Sequence, residues 1–252
     1  LQQAKDQLKS ESFLVLPGDL PLINSSSLKN FVDYATNKEA TLSLITTERE
    51  DPEGYGRIKR DRSGHVKEII EEKDASKTER RIKEVNTGIY LFENTKDLWQ
   101  KLKSIDSKNA QGEFYLTDLV KQFTDQGKKV TAFKTDSSKE FLGVNTRKDL
   151  ISTGKVLNRR KINSLLDSGV TVVDPNSTII ESGVEAGEDV IIEPFTMIKG
   201  ETTIGSNARI GPNAEIVDGR IGAGVKLSHA VVKDVRIRDN KKVEPFSYLT
   251  SK

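Results

Sequence analysis

Two spacings of apolar residues divide the sequence into two parts. In residues 1 to about 150, short apolar runs alternate with segments whose apolar residues recur every three or four positions. The first pattern indicates β-strands and the second indicates amphipathic helices. From about Val170 the interval becomes six residues, which does not match a helix with 3.6 residues per turn. The change of interval predicts two domains of different architecture.

Strands and helices are predicted to alternate in the first part. Residues 13–16 form an apolar run that stops at Pro17-Gly18-Asp19, as expected of a buried strand followed by a turn. Residues 57–60 and 66–70 flank a turn sequence and predict a hairpin. Further strands are predicted at 41–47, 87–92 and 130–133, and helices at 25–35, 96–102 and 117–123. This alternation predicts an α/β layered domain with a mostly parallel sheet.

The six-residue interval is most regular between Ile192 and Ile216. Isoleucine occupies positions 192, 198, 204, 210 and 216, and the interval continues in other frames at Val184 and Val190, Ile221 and Leu227, and Ile237 and Val243. Such a hexad supplies one short strand and one turn, so three hexads form a triangular coil of a parallel β-helix. Residues 147–166 have a helical pattern and predict a linker. The predicted division is 1–146, 147–169 and 170–252, with roughly three to four coils in the last part.

Composition and charge narrow the class of protein. Lys and Arg total 40 against 38 for Asp and Glu, so the net charge of +2 does not call for a nucleic acid or an anionic membrane as partner. There is no cysteine, which suits a reducing compartment, and the apolar runs are too short to span a bilayer. A cytoplasmic location is therefore expected. The sequence starts at Leu1 without methionine, and we expect that it is truncated.

Six segments of the chain carry a resemblance to a known family. They are residues 16–22 (LPGDLPL), 54–58 (GYGRI), 71–75 (EEKDA), 84–89 (EVNTGI), 109–118 (NAQGEFYLTD) and 143–147 (GVNTR). Their order and spacing resemble the bacterial bifunctional N-acetylglucosamine-1-phosphate uridylyltransferase / glucosamine-1-phosphate N-acetyltransferase family. The resemblance extends over nearly the whole chain. It implies a Rossmann-like nucleotidyltransferase domain, incomplete at its N-terminus, followed by a left-handed parallel β-helix of hexapeptide repeats.

The resemblance implies uridylyl transfer from UTP to N-acetylglucosamine 1-phosphate. The products are UDP-N-acetylglucosamine, a cell-wall precursor, and pyrophosphate. By resemblance, Asp19 and Asn145 are the catalytic Mg²⁺ ligands, and oxygen ligands of this kind suit magnesium. The resemblance also assigns substrate contacts, which are Pro17, Gly18, Asp19, Gly56, Glu71, Asn86, Tyr115, Thr117 and Asn145. A homotrimer built on the β-helix is expected as well.

Taken singly, each motif also has an ordinary structural interpretation. Asp19 after a glycine can cap a turn, Gly56 can belong to a simple turn, and Glu71 can be a solvated charge beside a hairpin. Asn86 before a predicted strand can be a turn residue. His65, in a predicted turn, and His229, in a predicted β-helix strand, have no metal-like spacing and are assigned no role.

Several departures from the family pattern lower the expected activity. The family's glycine-rich phosphate loop and uracil contacts precede the segments present here, and its acetyltransferase site lies on later coils. Thr250 stands where the first arginine of that site is expected, and Pro17 replaces a residue that is often aromatic. We therefore expect the chain alone to turn over UTP weakly or not at all. Two alternatives are a related sugar-1-phosphate nucleotidyltransferase and a non-catalytic, trimeric assembly or regulatory subunit.

Overall fold

The chain forms two compact units. A computed structural model describes residues 1–251, so Lys252, the last residue of the predicted β-helix range, lies outside the described residues. The first unit is Leu1–Asn145 and the second begins at Thr146.

The first unit is a mixed sheet with helices. Its strands are β1 (Ser12–Val15), β2 (Leu42–Glu48), β3 (Arg57–Arg60), β4 (Val66–Ile70), β5 (Glu84–Glu93) and β6 (Val130–Thr135). Its α-helices are α1 (Ser25–Lys38), α2 (Lys96–Ser104) and α3 (Asp118–Asp125). The strand order is β4-β3-β5-β2-β6, and β1 pairs with the C-terminal half of β5.

The prediction of a mostly parallel sheet is wrong. The ten-residue strand β5 runs antiparallel to β1, β2 and β3, and β3 runs antiparallel to β4. Of the pairings described in this sheet, β2 with β6 is the parallel one. The chain reaches β5 through the β3–β4 hairpin rather than through a helical crossover, so β5 enters the sheet in the opposite direction. Alternation of elements along a sequence does not encode that direction.

Two predicted positions also differ from the structure. Leu16, placed at the end of a buried strand, is exposed because β1 stops at Val15, and of that apolar run only Phe13 is fully buried. Asn86, placed before a strand, lies inside β5 opposite Thr46 of β2. The strand therefore begins three residues earlier than its β-branched and aromatic residues suggested.

Aromatic packing fixes the sheet against the helices of the first unit. The ring of Phe13 lies 5.7 Å from that of Phe92 and 5.8 Å from that of Trp99 on α2. Thr95 caps α2 by accepting a hydrogen bond from the backbone N–H of Leu98. Because β1 and β5 are held in this way, the loop after β1 starts from a fixed position.

The second unit starts with α4 (Arg147–Asp167) and continues as a parallel β-helix. Thr146 and Asp149 form a reciprocal capping box at the start of α4. Fourteen short strands then build three parallel sheets. The sheets comprise β7 (Thr171–Val172), β10 (Ile191–Ile192), β13 (Arg209–Ile210), β16 (Lys226–Leu227) and β19 (Lys242–Val243); β8 (Ile179–Ile180), β11 (Met197–Lys199), β14 (Glu215–Val217), β17 (Val231–Lys233) and β20 (Tyr248–Thr250); and β9 (Glu185–Ala186), β12 (Thr203–Ile204), β15 (Arg220–Ile221) and β18 (Arg236–Ile237).

The predicted hexads form the core of this unit. All five isoleucines at positions 192 to 216 are buried, as are Ile221, Leu227, Ile237 and Val243. A small residue two positions earlier, such as Thr196, Ala208 or Ala214, is also buried and closes the corner between two sheets. This confirms the left-handed hexapeptide β-helix. Its coils shorten from 18 residues, between Ile198 and Ile216, to 16 between Ile216 and Val232.

One β-helix prediction fails at His229. The residue lies at a corner with φ of 49° rather than in a strand, three positions before the inward-facing Val232. The shortening of this coil shifts the hexad frame, so counting in sixes from Ile216 misplaces the following residues.

No helix among residues 1–251 is long and apolar enough to cross a bilayer.

Candidate active site

The loop after β1 and the segment before α4 meet around Gly143. A Cβ atom at Gly143 would lie 2.9 Å from Asp19 Oδ2 and 3.3 Å from Asn145 Nδ2, so both side chains approach the same glycine. The backbone N–H of Val144 donates to the carbonyl of Asp19 at 2.9 Å and holds the two segments together. Asp19 and Asn145 are both exposed to solvent. The absence of a side chain at residue 143 thus creates an open cradle with a carboxylate and a carboxamide on its rim.

A second glycine brings the same loop against β5. Gly88 has φ of +78° within a bulged part of the β2–β5 pairing, and a Cβ there would lie 2.8 Å from Pro17 Cγ. Only a glycine accommodates both the positive φ and the close approach. Pro17 therefore packs two residues away from Asn86, which places the loop of Asp19 beside this part of β5.

The carboxamide of Asn86 is held by its neighbours on β5. Its Nδ2 donates to the hydroxyl of Tyr90 at 2.6 Å, and its Oδ1 accepts from the backbone N–H of Gly88 at 3.1 Å. These partners assign the orientation of the amide. Tyr90 is buried, and burial raises the pKa of its hydroxyl, so it stays neutral near pH 7. Asn86 thus has a fixed orientation before any ligand binds.

Glu71 lies just beyond the end of β4, against Gly56. A Cβ at Gly56 would lie 2.9 Å from Ile69 Cγ2 and 3.3 Å from Glu71 Oε2, so the glycine leaves room for the carboxylate. Thr117 is buried and donates a hydrogen bond to Glu71 Oε1 at 2.8 Å. The carbonyl of Gly56 accepts from the N–H of Asn86 at 2.9 Å. These contacts join residues 56, 71, 86 and 117 in one cluster.

Burial and charge shift the titration of Glu71 in the same direction. Desolvation raises the pKa of the Glu71 carboxyl above its ordinary value, and the negative charges of Asp74 and Asp118 add to the rise. The hydrogen bond from Thr117 opposes the rise because it stabilises the carboxylate. Glu71 is therefore a partly buried, hydrogen-bonded group and differs from a solvated surface charge.

The segment of residues 109–117 covers this cluster from one side. Asp74 Oδ1 accepts a hydrogen bond from the backbone N–H of Ala110 at 2.9 Å, which ties the segment to the loop after β4. Gln111 Nε2 donates to the hydroxyl of Tyr115 at 2.8 Å, and Tyr115 is half-buried. Tyr115 thus stands two residues from Thr117 with its hydroxyl in a defined position.

The contacts described above connect the predicted site residues within the first unit. Pro17 contacts Gly88, and Asp19 and Asn145 both approach Gly143. Residues 56, 71, 86 and 117 form one cluster, and Tyr115 lies two residues before Thr117 in the chain. Gly18 is an exposed turn residue. Sequence reasoning assigned no role to Gly88, Gly143 or Tyr90. Gly88 lies in the segment 84–89 and Gly143 in the segment 143–147, and a glycine within such a motif is itself a signal of close backbone approach. Tyr90 has no comparable signal because its contact with Asn86 depends on the strand conformation.

The site combines donors and acceptors at fixed positions with the exposed carboxylate of Asp19 and carboxamide of Asn145. The amide of Asn86 and the carboxylate of Glu71 can hydrogen-bond the hydroxyl and amide groups of a small polar ligand. No group of three or more His, Cys, Asp or Glu residues within residues 1–251 has the arrangement of a metal cage. A cation at Asp19 and Asn145 would thus take most of its ligands from outside the protein, as Mg²⁺ does at phosphate sites.

Comparison with known proteins identifies the family of this chain. The family described as "Nucleotidyl transferase" matches residues 1–151, which contain every site residue named above. The chain belongs to the nucleotidyl transferase family. Within this family it also carries a match to "Bacterial transferase hexapeptide (six repeats)" at residues 187–218, in the β-helix.

Individual relatives of this nucleotidyl transferase share one name. The chain is similar to "Bifunctional protein GlmU" from Caldanaerobacter subterraneus subsp. tengcongensis, with 43% identity over 94% of this chain and 51% of the relative. The proteins of the same name from Enterococcus faecalis and Clostridioides difficile are each 40% identical over 100% of this chain and 55% of their own length. The chain thus spans about half the length of the curated relatives it matches.

Proposed function

We propose that this nucleotidyl transferase serves uridylyl transfer to N-acetylglucosamine 1-phosphate. A phosphate oxygen of the sugar phosphate forms a bond to the α-phosphorus of UTP, the bond from that phosphorus to the bridging oxygen breaks, and pyrophosphate leaves. The products are UDP-N-acetylglucosamine and pyrophosphate. The cluster of Gly56, Glu71, Asn86 and Thr117 supports this proposal, since the resemblance assigns these residues to the sugar and they lie together.

The chain's own residues orient the sugar in this proposal. The fixed amide of Asn86 and the carboxylate of Glu71 bind polar groups of the sugar, and Thr117 holds Glu71 through its hydrogen bond. Tyr115, two residues before Thr117, is a further candidate contact. Positioning of this kind contributes a large part of the rate in phosphoryl and nucleotidyl transfer.

Magnesium is the metal that the resemblance implies, and the oxygen ligands that Asp19 and Asn145 offer suit it. Asp19 and Asn145 at the Gly143 cradle would hold it, and phosphate and water would supply its other ligands. Bound there, Mg²⁺ neutralises charge on the phosphates. A cytoplasmic location fits these substrates and the cysteine-free composition.

Calorimetric titration of the chain with N-acetylglucosamine 1-phosphate, with and without Mg²⁺, tests the site. We expect binding that Mg²⁺ strengthens. Asp19→Asn should remove most of the gain from Mg²⁺ because it replaces the charged ligand, and it should leave the Mg²⁺-free affinity nearly unchanged. Asp33→Asn, an exposed aspartate on α1, is the matched control and should behave as wild type.

The competing functions predict different titrations. Equal affinity for glucose 1-phosphate would favour a related sugar-1-phosphate nucleotidyltransferase with another substrate. No binding of either sugar phosphate would contradict the proposed function and favour a non-catalytic assembly subunit.

The second part of the proposal is a homotrimer built on the β-helix. The triangular coils support it, as does the exposure of large apolar groups on this unit, including Ile179, Phe195 and Tyr248. We expect sedimentation equilibrium at micromolar concentration to give three times the mass of 28.0 kDa. A single species at the monomer mass would contradict this part alone.

A further inference from the structure

A buried arginine follows Gly56, one of the four residues of the cluster formed by residues 56, 71, 86 and 117. Arg57 opens β3 and is 2% exposed. Its Nη2 lies 2.6 Å from Glu72 Oε2, and its Nη1 donates to the backbone carbonyl of Tyr55. Glu72 is also 3.6 Å from Arg80 Nε. A buried guanidinium is expensive to desolvate, so the ion pair with Glu72 fixes the position of both side chains.

The ion pair is adjacent in sequence to two of the proposed sugar contacts and is connected to a third by a strand pairing. Gly56 directly precedes Arg57, and Glu71 directly precedes Glu72. Arg57 is paired across β3 and β5 with Val85, which precedes Asn86. One salt bridge and one strand pairing therefore connect the backbones that carry residues 56, 71 and 86.

Among residues 56, 71 and 86, Glu71 depends most on such a connection. Strand β4 ends at Ile70, so the sheet ladder does not hold Glu71. Its backbone carbonyl accepts a turn hydrogen bond from Asp74 at 3.0 Å, and its side chain is held by Thr117. The adjacent Glu72 is anchored to Arg57, and this anchor sets the direction in which the chain leaves β4.

We propose that the buried Arg57–Glu72 ion pair is a positioning device that holds Glu71 against Gly56 in the orientation that receives the sugar. Arg57 and Glu72 act through their neighbours and are positioning residues. The proposal rests on the proposed function for the identity of the ligand. It goes beyond that function because it assigns a role to Arg57 and Glu72, which the proposed function does not use.

A double substitution separates positioning from stability. In Arg57→Met/Glu72→Met both charges are replaced together by apolar side chains, a change that often leaves stability unaltered or raised. We expect this variant to fold and to lose about 10- to 100-fold in affinity for N-acetylglucosamine 1-phosphate, the range typical when a group that orients a metal-binding side chain is removed. Glu72→Gln keeps the side-chain volume and a hydrogen-bond acceptor, and it should lose affinity in the same direction but less. It also provides the test if the double variant does not fold.

The matched control is the ion pair formed by Arg60 on the same strand. Arg60 Nη2 lies 2.6 Å from Glu84 Oε1, and Arg60 is more exposed than Arg57, whereas Glu84 is more buried than Glu72. Arg60→Gln removes an ion pair of β3 without touching residues 56 or 71, so the sugar affinity should be unchanged.

A measurement without ligand keeps the two proposals distinguishable. Carbon-13 titration of the Glu71 carboxyl in the free protein reports its burial. If the ion pair positions Glu71, the double variant moves the raised pKa of Glu71 back toward its ordinary value, whatever the ligand. Wild-type protein that fails to bind the sugar phosphate would contradict the proposed function only. The positioning role would be overturned if the double variant bound the sugar phosphate as tightly as the wild type and its Glu71 pKa did not shift. It would also be overturned if Arg60→Gln lost affinity to the same extent as the double variant.

Discussion

The surroundings of Glu71 act in opposite directions on the pKa of its carboxyl. Burial and neighbouring carboxylates favour the neutral form, while the hydroxyl of Thr117 donates to the carboxylate at 2.8 Å. Because the folded pKa is raised above the unfolded one, Glu71 adds to the free energy of unfolding at pH values below its unfolded pKa. That contribution is lost as the pH rises through the folded pKa. Above the folded pKa the fold therefore carries an ionised Glu71 at a cost in stability, which is typical of functional positions.

Thr117→Val should raise the pKa of Glu71 further. Valine has nearly the shape of threonine but donates no hydrogen bond, so the carboxylate loses the partner that stabilises it. A carbon-13 titration of the Glu71 carboxyl measures the shift directly. Thr124→Val is the control, because the Thr124 hydroxyl donates to the carbonyl of Lys67 and not to Glu71. A Glu71 pKa that falls or stays unchanged in Thr117→Val would contradict the assigned role of this hydrogen bond.

At the scale of single elements, local sequence signals were sufficient for the hairpin and the hexads. The turn residues between Arg57–Arg60 and Val66–Ile70 fixed both strand bounds, because the turn geometry sets the register. The repeat of six fixed the buried residues of the β-helix because each coil repeats the same contacts. Both signals lie within a few residues of the elements they describe.

Elements whose structure depends on distant partners were not predictable in the same way. The direction of β5 follows from its pairing with β1 and β2, which are far away in the sequence. Arg57 is buried together with an ion pair to Glu72, which is distant in the sequence. The residues around Arg57 therefore gave no signal that this arginine is buried. The motifs located the candidate site, but the contacts that orient its side chains depend on tertiary packing.

At the scale of the whole molecule, each unit has its own hydrophobic core. One cluster runs from Ile162 to Val243 in the second unit. Two clusters in the first unit are centred on residues such as Phe92 and Phe31. A unit with a separate core can in principle unfold separately from its neighbour. The β-helix is a linear stack in which each coil contacts the next, so a destabilising substitution in a middle coil affects the coils on both sides.

Ile198→Ala should therefore destabilise the second unit selectively. Ile198 is completely buried in a middle coil, between Ile180 and Ile216 on the adjacent strands of its sheet. Removing three carbon atoms from a packed core costs about 2–5 kcal/mol because a cavity remains. Hydrogen exchange should show lower protection for the strands from β7 to β20, whereas the amides of β2 and β5 should keep their wild-type rates. Leu44→Ala, at a fully buried position in β2, is the reciprocal control and should lower protection in the first unit. Equal loss of protection in both units for either variant would show that the two cores unfold as one cooperative structure.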